Sequence, residues 1–255
     1  MIQNNNNQGG KREINLQQLA QNFMSGMQRH FDMLAFNLAS RETVTEASYK
    51  QIAHAPRIMP VPAQHQNFEQ TQAYAHDLLL KQLVNDALNL AVSVMHNAHF
   101  FLAMVKCTEG KPELASERQH AAEALQKAFC EARFDQKFNL LEENYSIRCE
   151  LEDTITSLGF CLQALVESGG KVGSAHLDEN GELSLEFKAV SVPAEKEAQA
   201  EAPAKLTEYL KVFREGDYVT FNNKELQLIL VTVSAFADSF FKSIANYTQS
   251  MQEKN

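Results

Sequence analysis

Residues 150–172 read ELEDTITSLGFCLQALVESGGKV, and this stretch has the pattern of a helix with a defined end. It predicts a helix over about 150–167, followed by Ser168, Gly169 and Gly170. Glycine readily adopts the left-handed conformation that closes a helix. Together with a long closing helix predicted at about 222–250, this stretch indicates a helical fold.

Four earlier segments also predict helices. Apolar residues recur with a period close to 3.6 over 13–39, and 68–106 contains no internal glycine or proline. Two shorter helices are predicted over 113–133 and 134–145. The segment 40–66 carries three prolines, so we expect a long extended connection there.

The closing helix has a well-marked start. Asn222 is placed to cap it, and Glu225, three residues later, is placed to reach back to the cap. Phe221 and Leu226 have the spacing of a hydrophobic staple. A broad apolar stripe follows, so we expect this helix in the core.

A small hairpin is predicted between the helix at about 150–167 and the closing helix at about 222–250. Asn180 and Gly181 stand between alternating segments of HLDENGELSLEFKAV, and such a pair favours a tight turn. The following PAEKEAQAEAPA, at 193–204, has the low-complexity composition of a mobile linker. The predicted fold class is therefore mainly all-α, a helical bundle with a small β-hairpin insertion.

The predicted domain organisation has three parts. A flexible tail covers 1–12, and an N-terminal helix with its extended connection covers 13–66. The helical bundle domain covers 67–253, with the hairpin and the mobile linker at about 174–204.

Charge argues against nucleic acid as a partner. The chain of 255 residues has a formal net charge of −9, which repels phosphate. Lys205, Lys211 and Arg214 are interleaved with glutamates, and this pattern predicts a mixed-charge helix face.

A cytoplasmic location away from the membrane is expected from two further features. The N-terminus is polar where a signal peptide is apolar, and the apolar stretch 87–105 carries asparagines and histidines that are costly in lipid. A buried helix is the preferred interpretation. The four cysteines form no C-x-x-C pair and fall in or near predicted helices, so we expect free buried thiols in a reducing cytoplasm.

The order of helices, the segment LQALVESGGKV at 162–172, a short β-like excursion and the closing helix resemble the HEPN family (higher eukaryotes and prokaryotes nucleotide-binding). The resemblance covers about 70–250. In that family a helix typically ends in an Arg-Asn-x-x-x-His pattern, often followed by small residues. Here the Arg position falls on Leu162, the Asn position on Gln163 and the His position on Glu167.

This resemblance implies a degenerate site. In HEPN ribonucleases the Arg and His line a cleft between two subunits and assist attack of a ribose 2′-hydroxyl. Leu162 neither donates to phosphate nor balances transition-state charge, and Glu167 lacks a cationic partner. No catalytic residue and no cofactor are therefore assigned.

The resemblance implies a non-catalytic interaction or regulatory protein of bacterial type that forms a homodimer and binds a protein partner. The family context suggests phage defence or a toxin–antitoxin-like pair. One alternative is a divergent HEPN-type ribonuclease that uses Glu167 and Gln163 with a cation from elsewhere in the protein. The other is a small-ligand or nucleotide sensor with a cleft between helices. A basic groove beside Glu167 would favour the first alternative, and ligand-dependent stabilisation the second.

A pair of histidines is the metal candidate that the sequence offers. His96 and His99 lie one helical turn apart, and His76 and Asp86 are possible further ligands. Histidines at such spacing are more often core or subunit-contact residues. We therefore assign no metal site.

Overall fold

The structure is a computed structural model that describes residues 15–52, 67–107, 115–191 and 205–252. Within these ranges the predicted fold class is confirmed, because helices dominate and two strands form one hairpin. The elements are α1 Leu16–Thr43, α2 Glu46–Ile52, α3 Phe68–Lys106, α4 Ala115–Glu131, α5 Phe134–Tyr145, α6 Glu152–Glu167, β1 Glu182–Ser191, β2 Lys205–Arg214 and α7 Asn223–Gln252.

Asparagine side chains begin the long helices. Asn15 Oδ1 accepts hydrogen bonds from the first turn of α1, and Asn67 Oδ1 accepts one from Gln70 N at 2.9 Å. The predicted start of α7 is confirmed. Asn222 Oδ1 accepts from Glu225 N at 3.0 Å, and Glu225 Oε2 accepts from Asn222 N at 2.8 Å. These bonds satisfy amide groups that a helix start otherwise leaves without partners.

The centre of the bundle is α3, which packs against α1, α4, α6 and α7. Its inward face is buried along most of its length. The apolar stripe of α7 lies in the same core, as predicted: Phe236, Phe240 and Ile244 are fully buried. The first helix also belongs to this core, because α1 packs against α3 and α7 and buries Phe23 and Met27.

By length and composition, α3 and α7 are the two helices of the described ranges that could cross a membrane. Their most apolar windows have mean hydropathies of 1.4 and 1.6, and 44% and 50% of those windows are buried inside the chain. The core helices of a bundle meet the same criterion.

The connection after α1 is more helical than predicted. The first helix continues to Thr43, and α2 forms within a segment expected to be extended. Thr45 and Ser48 explain this start, since Thr45 N donates to Ser48 Oγ at 3.0 Å and Ser48 N donates to Thr45 Oγ1 at 3.2 Å. The three prolines of this connection and the tail at 1–12 lie outside the described residues.

The hairpin is present, but its predicted turn is wrong. The two strands pair antiparallel from Glu182 opposite Arg214 to Ser191 opposite Lys205. Asn180 and Gly181 precede β1 and connect no strands. Asp178 Oδ1 accepts from Asn180 N and Glu182 N at 2.8 and 3.0 Å, which makes a local turn into β1. The linker at 193–204 lies outside the described residues.

The prediction that Lys205, Lys211 and Arg214 lie on a mixed-charge helix face is also wrong, because Lys205–Arg214 forms the strand β2. Strand alternation accounts for the interleaved charges. Lys211 lies on the same strand face as buried Phe213, whereas Arg214 lies on the opposite face and pairs with Glu182 of β1 at 3.0 Å.

Two buried threonines hold the outer edge of β1 against the helices. Thr154 of α6 accepts from Glu186 N and donates to Glu186 O, both at 3.3 Å. Thr232 of α7 accepts from Lys188 N at 3.0 Å. The hairpin therefore has one edge bonded to the bundle through side chains.

Candidate functional site

The end of α6 is closed by glycines, as predicted. Gly169 and Gly170 have φ of 61° and 92°, and Gly170 N donates to Ala164 O at 2.8 Å. Gly170 O then accepts from Val219 N at 2.8 Å. This bond fixes the end of α6 beside the segment that leads into α7.

The three predicted site residues occupy the last turns of α6. Leu162 is half-buried and packs against the core, whereas Gln163 and Glu167 are exposed. Gln163 Nε2 donates to Glu167 Oε2 at 3.0 Å. Among the described residues, no basic side chain forms an ion pair with Glu167. The arrangement is an amide–carboxylate pair beside an apolar side chain.

A groove of about 390 Å³ opens beside these residues, between α3, α5 and α6. Most of its lining is apolar, and Gln163 stands on its border. The lining consists of Leu88, Val92, Arg133, Phe134, Asp135, Thr156, Gly159, Phe160 and Gln163.

The α6 side of this groove is formed by residues on one face of the helix, and one of them is a glycine without a side chain. Thr156, Gly159, Phe160 and Gln163 follow the spacing that places residues on one helix face. A Cβ atom built on Gly159 would have Phe134 Cδ1, at 4.0 Å, as its nearest neighbour. The missing side chain therefore leaves room in the groove.

The α5 side of the groove carries charge. Arg133 Nε and Asp135 Oδ1 lie 3.3 Å apart, and both side chains are exposed to solvent. Among the described residues, Asp135 is the one carboxylate that forms an ion pair with Arg133. The groove thus combines an apolar interior with an exposed Arg133–Asp135 ion pair beside it.

The predicted metal candidate His99 belongs instead to a buried chain of neutral hydrogen bonds. Its Nδ1 lies 2.7 Å from Gln126 Oε1, and its Nε2 lies 3.2 Å from the Tyr145 hydroxyl. Gln126 Nε2 continues the chain to His96 O at 2.9 Å. The ring of His99 stacks on Phe129 at 4.0 Å.

Burial fixes the protonation state of this chain. It lowers the pKa of His99 to about 4, and the positive charges of Lys137 and Lys106 act in the same direction. Burial raises the pKa of Tyr145 above its ordinary range, so its hydroxyl keeps its proton. We infer that His99 is neutral, donates from Nδ1 to Gln126 and accepts from Tyr145 at Nε2.

The two further ligand candidates, His76 and Asp86, are also engaged elsewhere. His76 contacts Arg41 at 2.7 Å and the Phe221 carbonyl at 2.8 Å, and Asp86 accepts from Gln82 at 2.9 Å. The His96 ring packs edge-on against Phe129. Over the described parts of the chain, no group of three or more His, Cys, Asp or Glu side chains is arranged to hold a metal.

A second buried polar cluster joins the hairpin to α7. Glu225, 4% exposed, accepts from Lys211 Nζ at 2.7 Å and from the Tyr209 hydroxyl at 3.0 Å. Lys211 Nζ also lies 4.9 Å from the ring centroid of Phe221. Burial would raise the pKa of Glu225, but the bonds from Lys211, the Asn222 amide and Tyr209 lower it overall.

The four thiols are free, as predicted, but the expectation that all are buried is wrong, because Cys107 is half-buried and Cys130 is exposed. Cys149 and Cys161 are buried, and burial raises the pKa of each to about 12. A thiol with so high a pKa is a poor nucleophile at neutral pH. Cys161, one residue before the predicted site, is therefore a packing residue.

The chain was compared with protein-family models, with curated proteins and with solved structures, and none of the three comparisons gave a match. Sequence reasoning named Gln163 for its motif position and not as part of a groove, and it found the capping pair of α7. It missed the groove and the Lys211–Glu225 ion pair, whose members come from separate elements. A glycine inside the helical pattern of α6 was the one local signal for the groove.

Proposed function

We propose that this chain is a non-catalytic interaction or regulatory protein, a HEPN-like helical bundle without ribonuclease chemistry. The arrangement of Leu162, Gln163 and Glu167 carries the proposal. These positions present a half-buried apolar side chain and a carboxylate bonded to an amide. Cleavage of a phosphodiester needs groups that move a proton and balance charge, and this arrangement supplies no cation.

The experiment is an RNA cleavage assay on the purified chain and on Glu167→Ala. We expect no cleavage by either protein. Cleavage by the parent that is lost in Glu167→Ala would replace the proposal with the divergent ribonuclease.

A gain-of-function variant tests the alignment behind this proposal. Leu162→Arg, Gln163→Asn and Glu167→His together restore the family pattern at its matching positions. The three substitutions lie on half-buried or exposed parts of α6, so the fold should tolerate them. We expect RNA cleavage to appear, with Gln163→Asn alone as the inactive control. A folded but inactive triple variant would contradict the HEPN-like alignment.

The groove favours a second candidate function, a small-ligand sensor. Ligand sites are concave, mostly apolar and lined by a few polar groups, and their volumes span roughly 300–1,000 Å³. The groove of about 390 Å³ has these features. A ligand bound there would stabilise the fold, and thermal melting with candidate ligands would detect it.

The remaining expectations are part of the same proposal: a homodimer, a protein partner, a cytoplasmic location and a role in bacterial conflict systems. The apolar stripes of α3 and α7 are largely buried within one chain. Exposed apolar side chains on α1, Met33 at 57% and Phe36 at 67%, offer a surface for pairing. Light scattering on the parent and on Phe36→Ser would test this, and a monomeric parent at micromolar concentration would contradict the dimer.

A further inference from the structure

We propose that the groove between α3, α5 and α6 binds a small amphipathic carboxylate, with its apolar body inside and its carboxylate on Arg133. This inference rests on the non-catalytic binding function proposed above and names the ligand class of that groove. Its support comes from the groove's interior, from Gly159 and from the charge on Arg133.

The interior selects an apolar body. Leu88 and Val92 of α3 face Phe134 of α5 and Phe160 of α6 across the groove. Water in such a space gains few hydrogen bonds, so its displacement by an aliphatic or aromatic group is favourable. A volume near the lower end of the range for ligand sites indicates a small ligand.

Gly159 is the second line of support. A glycine inside a helix costs about 1 kcal/mol relative to alanine. An alanine Cβ at this position would have its nearest neighbour at 4.0 Å, an ordinary contact distance, so alanine would fit. Packing alone therefore does not require glycine here. Its absent side chain instead enlarges the space between Phe134 and Phe160.

The charge on Arg133 selects the head group. Its Nε lies 3.3 Å from Asp135 Oδ1 in an exposed ion pair, and a guanidinium carries further donors on its two terminal nitrogens. A planar guanidinium pairs with a carboxylate through two parallel hydrogen bonds. Arg133 is the one basic side chain among the residues that line the groove, so a carboxylate head group would bind there, beside or in exchange for Asp135.

Thr156 and Gln163 supply the polar contacts along the wall. Gln163 donates its amide group to Glu167, which leaves its carbonyl oxygen as an acceptor. A hydroxyl or amine on the ligand body could donate to it. The Gln163–Glu167 pair would thus position a contact group at the border of the groove.

The test is calorimetric titration of the full chain with octanoate, octanol and octylammonium. These probes share one apolar body and differ in head-group charge. We expect octanoate to bind more tightly than octanol, and octylammonium to bind most weakly. Equal binding of octanoate and octanol, or no binding of octanoate, would overturn the inference.

Three variants locate the binding. Gly159→Leu fills the groove and should abolish octanoate binding. Val166→Leu, at an exposed position of α6 outside the groove, should retain it and serves as the matched control. Arg133→Gln, at an exposed position, should weaken octanoate about fivefold and leave octanol unchanged. Melting curves establish that each variant is folded. Unchanged octanoate binding in folded Gly159→Leu, or in Arg133→Gln, would also overturn the inference.

The outcomes separate this inference from the proposed function. Failure of octanoate to bind, with no RNA cleavage by the parent, removes the ligand class and leaves the non-catalytic function intact. RNA cleavage that depends on Glu167 removes the proposed function whatever the groove binds.

Discussion

The two buried polar clusters of this bundle provide partners for buried polar atoms by different means, one with neutral groups and the other with opposite charges. At one end, His99, Gln126 and Tyr145 join α3, α4 and α5 through neutral groups. At the other, Glu225 and Lys211 join α7 to β2 through opposite charges. Both clusters satisfy polar atoms that burial would otherwise leave without partners.

The difference teaches how each cluster depends on its partners. A neutral chain persists only while His99 remains unprotonated, and burial supplies that condition. An ion pair persists only while both charges are present, because one buried charge without the other is costly. The first cluster should therefore respond to mild acid, and the second to loss of either partner.

The largest loss in the free energy of unfolding is expected from Glu225→Ala. This substitution leaves the Lys211 ammonium without its carboxylate and removes a cap from α7. We expect the free energy of unfolding, measured by chemical denaturation, to fall by about 3–5 kcal/mol.

The control for this variant is the double change Glu225→Ala with Lys211→Met. Removal of the second charge should recover part of the loss, since an apolar side chain replaces the unpaired ammonium. Simple addition of the two single effects would contradict a coupled ion pair.

The next effect is a loss of stability in mild acid. The folded pKa of His99 is about 4, against an ordinary value of 6.5, so the unfolded chain binds a proton more readily. The stability from neutral His99 is complete above pH 6.5 and falls as the pH decreases towards 4. Between pH 7 and pH 5 we expect a loss of about 2 kcal/mol.

Variants at single histidines separate this effect from general acid sensitivity. His99→Gln should flatten the profile between pH 7 and pH 5, whereas His120→Gln, at an exposed site, should not. The folded pKa of Glu225 is lowered from its ordinary value of 4.5, so the Glu225 cluster loses stability only when the pH falls below about 4.5. An unchanged slope in His99→Gln would contradict the assignment.

The smallest effect is expected from Tyr145→Phe. This change removes the donor to His99 Nε2 across a long bond of 3.2 Å. We expect a loss of about 1 kcal/mol in the free energy of unfolding, measured by chemical denaturation at pH 7. Tyr49→Phe, at an exposed position, is the matched control with no expected change. A loss equal to that of Glu225→Ala would mean that the two clusters are equivalent.

The helices were predictable because their signals are local. An uninterrupted segment predicted α3 over 68–106, and Asn222 with Glu225 marked the start of α7. The hairpin was only partly predictable. The strand that pairs with β1 lies beyond the segment 193–204. The charge pattern of β2 is also typical of an exposed helix face, so the sequence did not distinguish the two.

The candidate site was predictable only at α6. Leu162, Gln163 and Glu167 lie on one helix, so sequence order brings them together. The groove takes its walls from residues near 88, 133 and 160, and the ion pair joins Lys211 to Glu225 across two elements. These contacts between residues distant in the sequence depend on how the helices and strands pack, and local sequence patterns do not encode that packing.

The threonine bonds along β1 also limit how the sheet can grow. In the described part of the chain the sheet has two strands, and Thr154 and Thr232 already bond the free side of β1. A further strand would therefore have to join at β2. Two copies joined through β2 would then leave no open edge for a third, so assembly by this route ends at a closed pair and does not continue into a fibre.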